Sequence, residues 1–176
     1  MFRLVVLGCM ASVAACGAAD GKLPNDKSIV SDVNNELEDD CLGRADFDGV
    51  SHHIEAQLNI ARRAVCRYRR LEAALADGYT NTGLACVPGQ GFHYIKNSLV
   101  GTTDIREPSV LMYDKDGNLN SPEWVAPLDG FPTPPTIFGQ VMHADDDLGL
   151  WIQHVWVWKL NPAGVFEDVY PIVTCP

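Results

Sequence analysis

Histidine is the residue type in this 176-residue chain whose placement most invites chemistry. There are five: His52, His53, His93, His143 and His154. His154 lies in Leu150-Trp151-Ile152-Gln153-His154-Val155-Trp156-Val157-Trp158-Lys159. That run alternates with a period of two and predicts a β-strand over 150–160. Leu150, Ile152, His154, Trp156 and Trp158 then share a face, which sets an imidazole in a row of large apolar groups. A buried imidazole needs a hydrogen-bond partner or a metal, because an unsatisfied polar group in an apolar wall is costly. His93 follows Gly89-Gln90-Gly91-Phe92, and His143 follows Phe138-Gly139-Gln140-Val141-Met142. Imidazoles from separate strands can converge on one ion, and they suit copper, zinc, iron and nickel.

His93, His143 and His154 are therefore the candidate metal ligands. The candidate cofactor is a transition metal, copper or zinc. Tyr94, Gln140, Trp156 and Trp158 are the candidate walls of a ligand pocket, and Asp145, Asp146 and Asp147 could add a carboxylate. No His-x-His or His-Glu-x-x-His spacing reinforces the set. A second reading stays open: His93 and His154 as core groups bonded to backbone or to each other, with His143 in an exposed loop. Other chemistries lack their signatures. No nucleophile elbow, phosphate loop or dinucleotide fingerprint occurs. Asp114-x-Asp116-Gly117-Asn118 has its glycine two positions too early for an EF-hand and reads as a hairpin turn. Gly89 and Gly91 suit a tight turn or close backbone approach beside His93.

The cysteines and the N-terminus speak to compartment. Residues 1–15 have a short positive start and an apolar, uncharged core, as a signal peptide does. Val13-Ala14-Ala15-Cys16 resembles a bacterial lipobox, which makes Cys16 the candidate lipidation site and a lipid anchor the expected link to a membrane. Residues 16–48 read as an acidic tether. Between 17 and 48 lie nine acids (Asp20, Asp26, Asp32, Glu36, Glu38, Asp39, Asp40, Asp46, Asp48) against Lys22, Lys27 and Arg44. With a net charge of −10, nucleic acid is not an expected partner, since its binding is dominated by phosphate charge. Cys41, Cys66, Cys86 and Cys175 remain. Four cysteines in an exported chain predict two disulfides with three possible pairings, and Cys41–Cys66 with Cys86–Cys175 is the pairing favoured here. The first would pin the acidic leader to a helix, and the second would tie the penultimate residue to the body.

The elements that must position these groups form one domain over 49–176. Ser51 to Leu75 predicts one long helix, capped by Ser51 and stopped by Gly78. Its apolar stripe is Ile54, Leu58, Ala61, Val65, Tyr68, Leu71 and Leu75. Arg62, Arg63, Arg67, Arg69 and Arg70 cluster on it, as a solvated face or as a contact for an anionic ligand. Strands are expected at Phe92–Ile95, Ser109–Tyr113, Glu123–Ala126, Ile137–Met142 and 150–160, with Ile172–Thr174 closing the sheet. A helix followed by strands without intervening helices predicts an α+β fold: a long N-terminal helix on an antiparallel sheet, stapled by disulfides.

Ala74-Leu75-Ala76-Asp77-Gly78-Tyr79, Cys86-Val87-Pro88, Gly91-Phe92-His93-Tyr94-x-x-Asn97, Phe138-Gly139-Gln140 and His154-Val155-Trp156-Val157-Trp158-x-x-Asn161-Pro162-x-Gly164-x-Phe166, with the terminal Cys175, form a further pattern. Together they resemble an uncharacterised family of bacterial secreted proteins and lipoproteins over roughly residues 60–176. The resemblance implies that His93, His154 and the Asn161-Pro162 turn belong to one unit, and it carries no activity. Three functions are expected alternatives: an extracytoplasmic binding module for a transition metal or metal-bearing ligand, a metal-dependent or histidine-based enzyme, and a structural envelope protein without a small ligand.

Overall fold

The computed structural model describes residue 41 and residues 43–176. The signal peptide, the Cys16 lipidation site and the tether up to residue 40 lie outside the described residues. The described chain runs α1 (His52–Val65), a 3-10 turn (Cys66–Tyr68), α2 (Leu71–Ala76), β1 (Thr80–Asn81), β2 (Phe92–Ile95), β3 (Val110–Tyr113), β4 (Leu119–Pro127), β5 (Thr136–Ile137), β6 (Gln140–Val141), β7 (His143–Asp145) and β8 (Leu150–His154). Six strands form one antiparallel sheet in the order β1-β2-β3-β4-β8-β7, and β5 and β6 form a separate hairpin. No helix among the described residues is long and apolar enough to cross a membrane.

The long N-terminal helix expected over Ser51–Leu75 does not form. α1 starts as its sequence demands, with the Ser51 side chain accepting from the Ile54 amide. It ends at Val65 and tightens into the 3-10 turn, and Arg70 is extended at φ −115°, ψ 137°. No glycine or proline causes the break. The hairpin between β3 and β4 does: the Leu71 amide donates to the Gly117 carbonyl at 3.0 Å, and the Leu119 amide donates to the Arg69 carbonyl at 3.0 Å. These bonds across the fold replace the helical i to i−4 bonds at the same residues. α2 is then only 6 residues and ends in a Schellman cap, with Tyr79 N bonded to Ala74 O and Gly78 N to Leu75 O. Leu75, at the end of the expected stripe, is left exposed.

One sheet face packs on the helices. Leu111, Tyr113 and Trp124 join Leu58, Ala61, Val65 and Tyr68 in the main core. Phe47 belongs to it too, and Ala45 is held by Asn59, which accepts from its amide and donates to its carbonyl. The opposite face carries a smaller apolar cluster of Val110, Val125 and Ile152. Both disulfides occur as paired in the sequence reading, Cys41–Cys66 and Cys86–Cys175. The second holds a C-terminal strap onto the turn before β2: Gly89 N bonds Val173 O, and Tyr170 N bonds Gly89 O, each at 2.8 Å. Ile172–Thr174 therefore closes no sheet; its backbone is used by this turn.

Two other strand expectations change. Ile137–Met142 is split by a turn in which Phe138 itself takes φ 52°. Its ring is buried 5.1 Å from that of Trp124, and this packing offsets the strained backbone. The strand expected over 150–160 stops at His154. Val155 still donates to Pro122 O, but Pro122 has no amide to return and the ladder ends.

Gly91 is the tightest point of the scaffold. At φ 108°, a Cβ there would lie 2.2 Å from the Tyr113 carbonyl oxygen and 2.7 Å from Asn120 Nδ2. Gly91→Ala is expected to cost at least about 3 kcal/mol, combining a backbone clash with left-handed strain. Gly78→Ala, at φ 92° with open space around it, is expected to cost only about 1–2 kcal/mol. Urea unfolding of the two variants checks the contrast, and equal losses would count against it.

Candidate metal centre

Residues opposite one another in an antiparallel sheet share a face. Glu123 on β4 is opposite His154 on β8, His93 on β2 is opposite Met112 on β3, and Met112 is opposite Ser121. Ser121 and Glu123 are two apart on one strand, so His93, Glu123 and His154 all stand on the face away from the helices. His143 on β7 is opposite Ile152 and joins them. β3 separates β2 from β4, so the His93 and Glu123 side chains lean across it to meet.

Glu123 lies between the two imidazoles. His93 Nε2 is 3.8 Å from Glu123 Oε2, and His154 Nε2 is 3.9 Å from Glu123 Oε1. All three side chains are buried, at 8%, 5% and 4% exposure. Neither contact is a hydrogen bond, because a charged N–H···O bond is about 2.7–2.9 Å long. Among the described residues, Glu123 Oε2 has no hydrogen-bond partner, and neither has His93 Nδ1. His154, by contrast, has Asp168 Oδ1 at 3.4 Å from its Nδ1, as a satisfied core histidine would. The three residues offer ligand atoms that all lie within 4.8 Å of one another, against about 3.3–3.5 Å between ligand atoms about 2.0–2.1 Å from a tetrahedral ion.

The second nitrogen of His154 faces outward. His154 Nδ1 is 3.4 Å and His143 Nε2 is 3.5 Å from the same oxygen, Asp168 Oδ1, and the two rings stack with centroids 6.2 Å apart. Asp168 rides on the C-terminal strap, whose position is set by Gln90 Nε2 donating to Asp168 O, Trp156 Nε1 to Glu167 O and Asn161 Nδ2 to Val169 O. The strap thus ties the Asn161 turn, the turn before His93, and His154 into one unit.

Burial pushes the His93 imidazole below the ordinary histidine value, against the pull of Glu123. Burial also opposes charge on His154, but Glu123 and Asp168 outweigh it and hold its pKa above the ordinary value. Asp168 is held below the usual carboxylate range, first by its contact with His154 and then by His143, against partial burial. A metal takes imidazole in its neutral form, which the shift on His93 favours and the shift on His154 opposes.

The candidate pocket residues are not assembled around these histidines. Tyr94 points to the helix side, edge-on to Tyr113 at 5.6 Å. Gln140 is exposed on the β5–β6 hairpin. Trp156 is buried against Tyr170 and lines a cleft of about 450 Å³ with Phe47, Asp46 and Asn161. Trp158 lies under the guanidinium groups of Arg62 and Arg69, 4.1 and 4.9 Å from its ring centre. The basic cluster is thereby spread over several partners, with Arg67 on Tyr68 and Arg70 on Asn118. Asp145 accepts from the Leu148 amide in the β7–β8 turn, and neither Asp146 nor Asp147 joins a cluster among the described residues.

Two residues of the centre, Glu123 and Asp168, escaped the sequence reading. Glu123 had a usable signal: an acid in Ser121-Pro122-Glu123-Trp124-Val125-Ala126 is as anomalous as His154 in its strand. Asp168 had none, since only the return of the strap brings it in. No family model, curated protein or solved structure matches this chain.

Proposed function

We propose that this protein is an extracytoplasmic binding module that holds a divalent transition metal, zinc or copper, between His93, Glu123 and His154. The observation that carries this reading is the buried Glu123 carboxylate, flanked by two imidazoles beyond hydrogen-bond reach and with Oε2 unpartnered. A buried carboxylate oxygen without a hydrogen bond is costly, and a cation between the three groups reduces that cost. Two imidazoles and a carboxylate form a donor set that zinc and copper take. Two disulfides are compatible with an oxidising compartment, and a lipid anchor at Cys16 would place the module on a bacterial envelope. Binding is favoured over turnover by burial: the His93, Glu123 and His154 side chains are 8%, 5% and 4% exposed.

The test is elemental analysis of the chain purified without a histidine tag, beside a His93→Gln/His154→Gln variant. At least one ion per chain is expected in the parent, with the buried ion lost from a variant that still shows the parent's circular dichroism. Metal-free parent protein that takes up neither zinc nor copper on dialysis would overturn the proposal.

A further inference from the structure

The outer triad has a geometry of its own. His154 Nδ1 and His143 Nε2 converge on one oxygen, Asp168 Oδ1, at 3.4 and 3.5 Å. These separations are about half an ångström longer than a charge-assisted hydrogen bond. They match the edge of a tetrahedron around an ion with bonds of about 2.0–2.1 Å. The two rings lie 29° from parallel with centroids 6.2 Å apart, and the ligand atoms of His143, His154 and Asp168 all lie within 4.8 Å of one another. His143 and Asp168 are 42% and 58% exposed, which leaves water free to complete the coordination of an ion there. The buried and outer triads share one residue, His154, and use opposite nitrogens of its ring.

We propose that His154 bridges two cation sites as an imidazolate: a buried one with His93 and Glu123, and a solvent-facing one with His143 and Asp168. This rests on the reading of His93, Glu123 and His154 as ligands and extends it to a two-metal centre. Each ion takes one ring nitrogen of His154. The second ion displaces the remaining ring proton, which leaves to solvent; no oxidation state changes. The outer site is the one an arriving ion meets first, and only the strap held by Cys86–Cys175 completes it.

The test loads copper(II) alone onto the metal-free full chain with both disulfides intact. His52→Gln/His53→Gln serves as background, so that those exposed neighbours at the start of α1 bind nothing. Ions per chain and the electron paramagnetic resonance signal are followed together. Two ions are expected, with a signal that rises to the first equivalent and then fades as the second fills, because copper ions across one imidazolate couple. A further His143→Gln/Asp168→Asn change is expected to leave one ion and a full, uncoupled signal. One ion in the background protein, unchanged by the outer substitutions, overturns the bridge and leaves the buried site standing. Two ions without coupling also overturn the bridge. No copper bound at all overturns the bridge, and zinc uptake by the same protein then decides whether the buried site stands.

Discussion

Replacing Cys86 and Cys175 together by alanine is expected to lower the stability of the folded chain by about 4.5 kcal/mol. The bond closes a separation of 89 residues, and in the chain-entropy account the unfolded chain gains about that much when such a loop is opened. For a domain of this size the melting temperature should fall by about 10–15 °C. Cys41 and Cys66 are 25 apart, so their removal is expected to cost less, about 3.5 kcal/mol. The two lesions also differ in place. Without Cys86–Cys175 the strap keeps only its hydrogen bonds, so the amides of Gly89, Tyr170 and Val173, which pair within this turn, should exchange faster than those of β3 and β4. Calorimetry and hydrogen exchange read both effects. A variant that melts within about 3 °C of the parent, with those three amides still protected, would show that the strap holds itself.

The second large effect is expected at Glu123, and it depends on whether metal is present. Glu123→Gln keeps the shape of the side chain and removes the charged donor. Loss of a partner that merely orients a ligand weakens metal binding about 10–100-fold, so loss of a ligand should weaken zinc binding at the buried site by at least about 100-fold. Saturating zinc at about 100 times the dissociation constant stabilises a folded protein by about 2.7 kcal/mol. The parent should gain that amount, and the variant should gain less. With chelator present, above the pH at which His154 holds its proton, the two should melt within about 1 kcal/mol of each other, because Glu123 makes no hydrogen bond to either imidazole and its remaining attraction is to protonated histidine. A structural ion pair behaves in the opposite way: breaking it costs about 3–5 kcal/mol whether or not metal is added. Thermal unfolding of both proteins in chelator and in zinc separates the two accounts.

How far the chain could be read in advance depended on where the forces act. The local readings that held rest on neighbours in sequence. Ser51 caps α1 because its hydroxyl reaches the Ile54 amide. Gly78 stops α2 through bonds within one turn. Asp114 to Asn118 makes the β3–β4 turn, with Asp114 accepting from the Asp116 and Asn118 amides. β2 and β3 fall where β-branched and aromatic residues cluster. The long helix failed because its interruption at Arg69–Leu71 is made by a hairpin nearly fifty residues away, with nothing in the local sequence to announce it. The tryptophan strand failed at Val155 because a proline on its partner withholds one amide, a fact about β4 rather than β8.

The candidate centre divides in the same way. Sequence alone determined that His154 would be a polar group in an apolar setting and that His93 lies on a strand beside a tight glycine turn, since both follow from alternation and residue type. It left three disulfide pairings open, and the favoured one is the one the structure shows. Only the tertiary structure decided that these imidazoles meet, that Glu123 stands between them, that Asp168 returns to His154, and that Trp156 and Trp158 go elsewhere. Burial and alternation are properties of a few consecutive residues. Register, strand order and the path of a tethered strap are set by the sum of many weak long-range contacts, and a ligand set spread over β2, β4, β7, β8 and the C-terminal strap exists only after those contacts are made.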